Sequence, residues 1–228
     1  MWADAGVRYS KYKELIPIRI TSKDFHLSII NIGFAGLNKE VSMTIYVGAR
    51  DLSGLPFGTH QFVVITYSGR KSIKIGRKVY ETKLLGHNVY GIVIGAQNRG
   101  TLNVEMFEGA DTLAAQEHFG EAKKKWYKSD YDTEMQLVKF NGSELSLEHE
   151  SKLISLVDAY LINQSLDPIS YPTAGAGYNS NSWTQSLIEH AGGKVRENMK
   201  GLDIFHNRRI PETYFTPICP SKPRVKLN

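Results

Sequence analysis

The 228-residue chain carries 28 Lys and Arg against 23 Asp and Glu, a formal charge of +5. Its 41% hydrophobic content supports one sizeable core, and at about 100–200 residues per domain leaves little room for a second. The chain is therefore read as a single domain, 1–228, with a core at about 41–193. No long basic stripe or known motif marks a nucleic-acid binder, no run of about 18 apolar residues supports stable membrane insertion, and a lone cysteine, Cys219, excludes an internal disulfide or a multi-cysteine metal site. Cys219 stands between prolines in an extended segment and reads as structural, with a free reactive thiol as the alternative. Outside Lys123–Lys125 and Lys222–Lys226, basic and acidic residues are mixed; this reads as a solvated face, and permits attraction to an acidic wall polymer or an anionic membrane.

In chain order, Leu15–Ile20, interrupted by Pro17, reads as an edge strand, and Phe25–Ile32, carrying His26, as another. Val41–Val47 alternates as a half-buried strand does. The loop Asp51–Thr59 then delivers His60 to the most apolar run so far, Gln61–Tyr67. A histidine where a loop enters a buried strand is held and accessible, as a base must be; the plainer reading is a hydrogen-bonded structural histidine. Ser68-Gly69-Arg70 turns the chain, and Lys71–Tyr80 is expected to return beside the first strand, with His60 opposite Lys78 and Gly76 and Tyr80 on its face. Strands at Asn88–Gly95 and Thr101–Phe107 follow as a meander.

Asp111 reads as the cap of a helix, Thr112–Tyr127, whose lysines face solvent. Met135–Phe140 reads as a short strand, and Ser146 opens a helix in which Leu153, Leu156, Val157, Tyr160 and Leu161 repeat on one face. A turn-rich loop, Asp167–Gly177, leads to Tyr178-Asn179-Ser180-Asn181-Ser182-Trp183, and from Gly201 the chain is read as wrapping the domain.

Trp183, Leu187, Ile188 and Ala191 form the apolar face of a helix ended by Gly192-Gly193, so the Asn and Ser cluster sits at its N-terminus. Unpaired N–H groups and the positive dipole end favour developing negative charge there, which suits a nucleophile or an oxyanion hole. The alternative is that Asn179, Ser180 or Ser182 only caps the helix. No Walker loop, dinucleotide fingerprint, His-Glu-x-x-His helix or calcium loop occurs, so no cofactor or metal is expected.

Two of these features together, Gly58-Thr59-His60 before an apolar strand and Tyr178–Trp183 at the head of a helix, resemble the circularly permuted papain-like superfamily. These are the permuted relatives of NlpC-type cell-wall peptidases and of lecithin:retinol acyltransferases, in which the histidine strand comes first and the nucleophile helix last. Ser180 stands where that family normally has cysteine, with Trp183 at its aromatic position. The Tyr-Asn-Ser-Asn-Ser-aromatic form is similar to a bacterial branch among type VI secretion effectors.

The resemblance implies an α+β papain-like fold, an antiparallel sheet packed against helices, and amide or ester hydrolysis with peptidoglycan peptides as first substrate. Ser180 would be the nucleophile and His60 its base, with Ser182 as the other candidate nucleophile. A third residue would orient the imidazole; by hairpin register the polar candidates are Glu81, His87 and Gln97. A hydroxyl is a weaker nucleophile than a thiol, so Ser180 would depend heavily on His60. The resemblance also implies an antibacterial protein made without a signal peptide and injected into the target periplasm, with a secretion-apparatus carrier and an immunity protein as partners. Two other readings stand: an inactive binding module on the same fold, and a lipid acyl hydrolase or acyltransferase.

Overall fold

Alternating apolar residues from Met43 and the apolar run after His60 form the first two strands, β1 (Met43–Asp51) and β2 (Thr59–Tyr67), antiparallel from Met43↔Tyr67 to Asp51↔Thr59. Every position of β2 is buried, which requires cover on both faces. The computed structural model describes residues 43–52, 58–120, 133–140, 147–172, 176–196, 199 and 208–217. The chain divides into two units, Met1–Lys39 and Glu40–Asn228, and all described residues, with most of the expected core, belong to the second. The strands expected at 15–20 and 25–32, the lysines at 123–125, Cys219 and the tail from Gly201 to 207 and beyond 217 lie outside the described residues.

The expected return of Lys71–Tyr80 beside β2 does not occur. β3 (Ser72–Ile75) and β4 (Lys78–Glu81) pair with each other as a separate two-stranded sheet around Gly76 and Arg77. Gly76 has φ +59°, a conformation that closes such a turn and that glycine adopts without a Cβ clash. After β5 (Lys83–Gly86), the place beside β2 goes to β6 (Val89–Asn98), buried at seven positions. The physical reason is two-sided burial: alternating Lys and Ile in β3 can bury one face only, whereas a neighbour of β2 is covered on both. β7 (Leu102–Met106) pairs with β6 beyond the stretch that β5 occupies.

α1 (Gly109–Phe119) is capped by Glu108, whose carboxylate accepts from the N–H groups of Ala110 and Asp111. Asp111 is therefore not the cap, and the helix stops short of Tyr127 because Gly120 adopts the left-handed C-cap conformation. The strand expected over 135–140 is two pieces, β8 (Thr133–Leu137) and β9 (Lys139–Phe140), with Val138 N–H turned to Ile45 O between them. α2 (Leu147–Leu166) and α3 (Ser180–Ala191) follow, and β10 (Gly193–Lys194) pairs with β9.

The main sheet is antiparallel, ordered β5-β6-β2-β1-β8 with β7 also on β6. One face packs Phe62, Val64 and Val93 against Ala114 and Ala115 of α1. The other packs Val63, Ile65, Ile92 and Ile94 against Leu153, Val157 and Tyr160 of α2 and Trp183 and Leu187 of α3. Trp183, wholly buried, meets Tyr160 edge-on at 5.9 Å; removing a buried Trp to Ala costs about 3–5 kcal/mol. The protein is an α+β fold in which strand alternation sends even-numbered residues of β2 towards α1 and odd-numbered ones towards α2 and α3.

Candidate functional site

His60 opens the even-numbered face of β2. Arg50 stands directly opposite on β1, and the Phe62↔Gly95 register, continued two residues, brings Gln97 of β6 to the other side. The first turn of α1 lies above and contributes Asp111. Asp111 Oδ2 is 3.0 Å from His60 Nε2 and accepts from Gln97 Nε2 at 2.6 Å, while its Oδ1 accepts from Arg50 Nε at 2.7 Å. Asp111 is 0% exposed, His60 3%, Arg50 6% and Gln97 8%. α1 thus covers the imidazole that an open strand end would have left accessible. Gly95 makes room: a Cβ there would lie 2.4 Å from Asp111 Oδ2.

Burial pushes the Asp111 carboxyl up, but the charge and hydrogen bond of His60, together with Arg50, outweigh it and hold the group below the usual carboxylate range. An ionised Asp111 only accepts, so His60 Nε2 carries the proton and donates to it. Gln97 Nε2, 3.2 Å from His60 Nε2, is then a second donor converging on the same carboxylate oxygen. The basic nitrogen of the ring is Nδ1, which no hydrogen bond reaches among the described residues. An imidazole oriented through one nitrogen by a buried carboxylate, with the other nitrogen basic, is equipped to move a proton.

α3 reaches the residues on either side of His60. Asn179, extended at φ −136°, is its cap: its Oδ1 accepts from Ser182 N–H at 3.0 Å, and its carbonyl accepts from Trp183 N–H at 3.0 Å. Ser180 is the first helical residue. Asn181 Oδ1 accepts the Gln61 N–H at 2.8 Å, and its Nδ2 donates to Thr59 O at 3.2 Å. Thr184 Oγ1 donates to Gln61 O at 3.1 Å, and Gln185 Nε2 to Gln61 Oε1 at 2.7 Å. Ser180 Oγ donates to Asn181 Oδ1 at 3.4 Å, which puts it one acceptor atom away from the Gln61 N–H.

α3 is thus tied to Thr59 and Gln61, the neighbours of His60, yet among the described residues no hydrogen bond joins the side chains of His60 and Ser180; the imidazole turns towards α1 and Ser180 sits on the α3 side. Ser180 is 2% exposed. Ser182, fully buried, directs its Oγ to Asn179 Oδ1 and Gly177 O within its own cap loop. Of the three candidates for orienting His60, only Gln97 is there. Glu81 is exposed and accepts from Ser72 Oγ, because β4 pairs with β3 and not with β2. His87 is exposed at a turn with φ +39°, beside Gly120.

Sequence reasoning missed Asp111 as the principal partner of His60, and missed Arg50. The available signal for Asp111 was Glu108 three residues earlier, a second carboxylate within reach of the same helix N-terminus, which leaves Asp111 open to another partner. No protein-family model, curated protein or solved structure matches the chain.

Proposed function

We propose that the protein is a papain-like hydrolase of amide or ester bonds, acting as an injected antibacterial effector on peptidoglycan peptides, with Ser180 as nucleophile, His60 as base and Asp111 as the group that orients His60. The observation that carries this reading is the buried carboxylate–imidazole pair one residue away from the strand segment to which the N-terminus of α3 is hydrogen-bonded. As Ser180 Oγ bonds to the substrate carbonyl carbon, His60 Nδ1 takes its proton and the carbonyl oxygen becomes negative at the positive end of α3. Collapse breaks the bond to the leaving group, which receives that proton from His60, and leaves an acyl-Ser180. Water, deprotonated by His60, then releases the acid and restores the hydroxyl. Asp111 stays ionised throughout. The chemistry requires Nδ1 and Oγ to approach to about 3 Å when substrate is bound.

The test is labelling of the full chain with a fluorophosphonate probe, paired with growth of bacteria that express it with and without an export signal. Modification of Ser180, its loss in His60→Ala, and lysis only on export are the expected results. An unlabelled Ser180 together with unchanged toxicity of Ser180→Ala overturns the assignment. Release of fatty acid in place of muropeptides would move the substrate to lipid acyl groups.

One observation favours a second reading, a binding module on the same fold: Ser180 Oγ faces Asn181 Oδ1, and among the described residues is not bonded to His60. In that case Ser180 stays unlabelled and Ser180→Ala retains muropeptide binding.

A further inference from the structure

The expected mixture of basic and acidic residues outside 123–125 and 222–226 fails in one short segment, where the formal charge of the protein is concentrated. Residues 70–83 contain six of the 28 basic residues, Arg70, Lys71, Lys74, Arg77, Lys78 and Lys83, and one of the 23 acidic residues, Glu81. The rest of the chain therefore has 22 of each and is formally neutral, so the whole excess of +5 belongs to this segment.

The fold presents that charge outwards. Ile73 and Ile75 are buried in the core shared with α2, which turns Ser72 and Lys74 to solvent, and Lys74 pairs across the hairpin with Val79. Arg70, Lys74, Arg77, Lys78 and Lys83 are all exposed, and none forms an ion pair among the described residues. Only Lys71 is neutralised, by Glu150. Elsewhere Arg99, Arg196 and Arg209 are paired with Glu105, Glu134 and Glu189. Asp158 lies near Lys74, but its Oδ1 accepts the Gly76 N–H, and Glu81 is engaged by Ser72 Oγ. Lys83 and Arg70 rest on the rings of Phe107 and Tyr90, at 4.4 and 5.7 Å, which holds their charge at the surface. Across the hairpin from Lys74, Val79 is 64% exposed.

We infer that the β3–β4 hairpin docks on the surface of an anionic lipid bilayer. The cations spread over both strands and the turn and do not converge on a pocket, which suits a diffuse field of headgroups better than a single phosphate. An exposed apolar side chain paired with Lys74 and next in the chain to Lys78 and Arg77 suits the boundary between headgroup and acyl chain. A single-stranded nucleic acid would call for exposed aromatic rings to stack on, whereas Tyr80 is half-buried and Tyr90 lies under Arg70. Attachment is peripheral: no described helix is long and apolar enough to cross a membrane. This inference does not depend on the hydrolase reading, because the hairpin shares no residue with that site.

The experiment is co-sedimentation of the full chain with vesicles of phosphatidylcholine alone or mixed with phosphatidylglycerol. Binding to the mixed vesicles only, falling steeply from about 50 to about 500 mM salt, is expected. Lys74→Gln, Arg77→Gln and Lys78→Gln should each weaken it about fivefold, and together about a hundredfold. Val79→Ser should weaken binding without changing its salt dependence. All four positions are exposed, so an unchanged circular-dichroism melt is the check on folding. Equal binding to both vesicle types, no binding of the wild type at low salt, an unaffected triple variant, or tighter retention on duplex DNA than on vesicles at equal phosphate would each overturn the inference.

Discussion

Asp111 Oδ2 and His60 Nε2 lie 3.0 Å apart although 51 positions separate them in the chain, and the carboxylate that holds the imidazole is itself held by Arg50. Asp111→Asn preserves the shape and removes the charge. It leaves the buried Arg50 without the carboxylate to which its Nε donates, at a cost of about 3 kcal/mol in stability. It also frees His60 to take the other tautomer, which should lower kcat by about 10³–10⁴-fold if the protein hydrolyses as proposed. Urea unfolding and turnover of peptidoglycan fragments measure the two effects separately.

The same pair sets the response to acid. Burial raises the Asp111 carboxyl, but His60 and Arg50 outweigh it and the folded value lies below that of the unfolded chain. The stabilisation is therefore fully present above the unfolded value, about 3.9, and is lost as pH falls through the folded value. Between pH 5 and the acid range, the urea midpoint of the wild type should fall more steeply than that of Asp111→Asn, about pH 5 marking where the curves begin to converge. Parallel curves would show that the carboxylate is not held down by its partners.

Gly95→Ala tests the cluster without touching a polar group. The added methyl would sit 2.4 Å from Asp111 Oδ2, 3.0 Å from Gln97 Nε2 and 3.4 Å from His60 Nε2. Overpacking of this kind costs about 1–3 kcal/mol and should displace the carboxylate from the imidazole. Gly69→Ala, where nothing lies within 4 Å, is the control and should stay within about 0.5 kcal/mol of the wild type. Thermal melts of the two variants compare them directly.

Asn181→Ala should leave the Gln61 N–H unsatisfied inside the protein, costing about 1–3 kcal/mol. Because the same side chain ties α3 to Thr59, hydrogen exchange at the first turn of α3 should rise more than at its C-terminal turn. Equal protection at both ends would show that Asn181 does not anchor that terminus.

The two elements that frame the site were legible because each carries its own period: the unbroken apolar run Gln61–Tyr67 demands a central strand, and Trp183, Leu187, Ile188 and Ala191 demand a helix face. Which strand lies beside β2 was not legible. Lys71–Tyr80 alternates well enough to be its hairpin partner, and it loses only in competition with Val89–Asn98, which is apolar on both faces. Asp111 was hidden for a different reason. An aspartate at the start of a helix is locally complete as a cap, and only the presence of Glu108 in that role shows it to be surplus there. Arg50 faces His60 through a register set by pairing across an intervening loop, and strand sequences that are apolar on both faces do not specify such a register.

The central strand meets the same indifference of apolar faces to register. If β2 shifted by one residue, Val63 and Ile65 would move under α1, and Phe62 and Val64 under α2 and α3, exchanging one apolar set for another at little cost in burial. The polar residues at the head of the strand do not exchange. Gln61 cannot supply the imidazole that Asp111 meets in His60, and His60 cannot reproduce the amide that pairs with Gln185. The residues with the least apolar surface in β2 are thus the ones that select among its alignments, so His60→Gln or Gln61→His should make the register ambiguous before it makes the protein unstable.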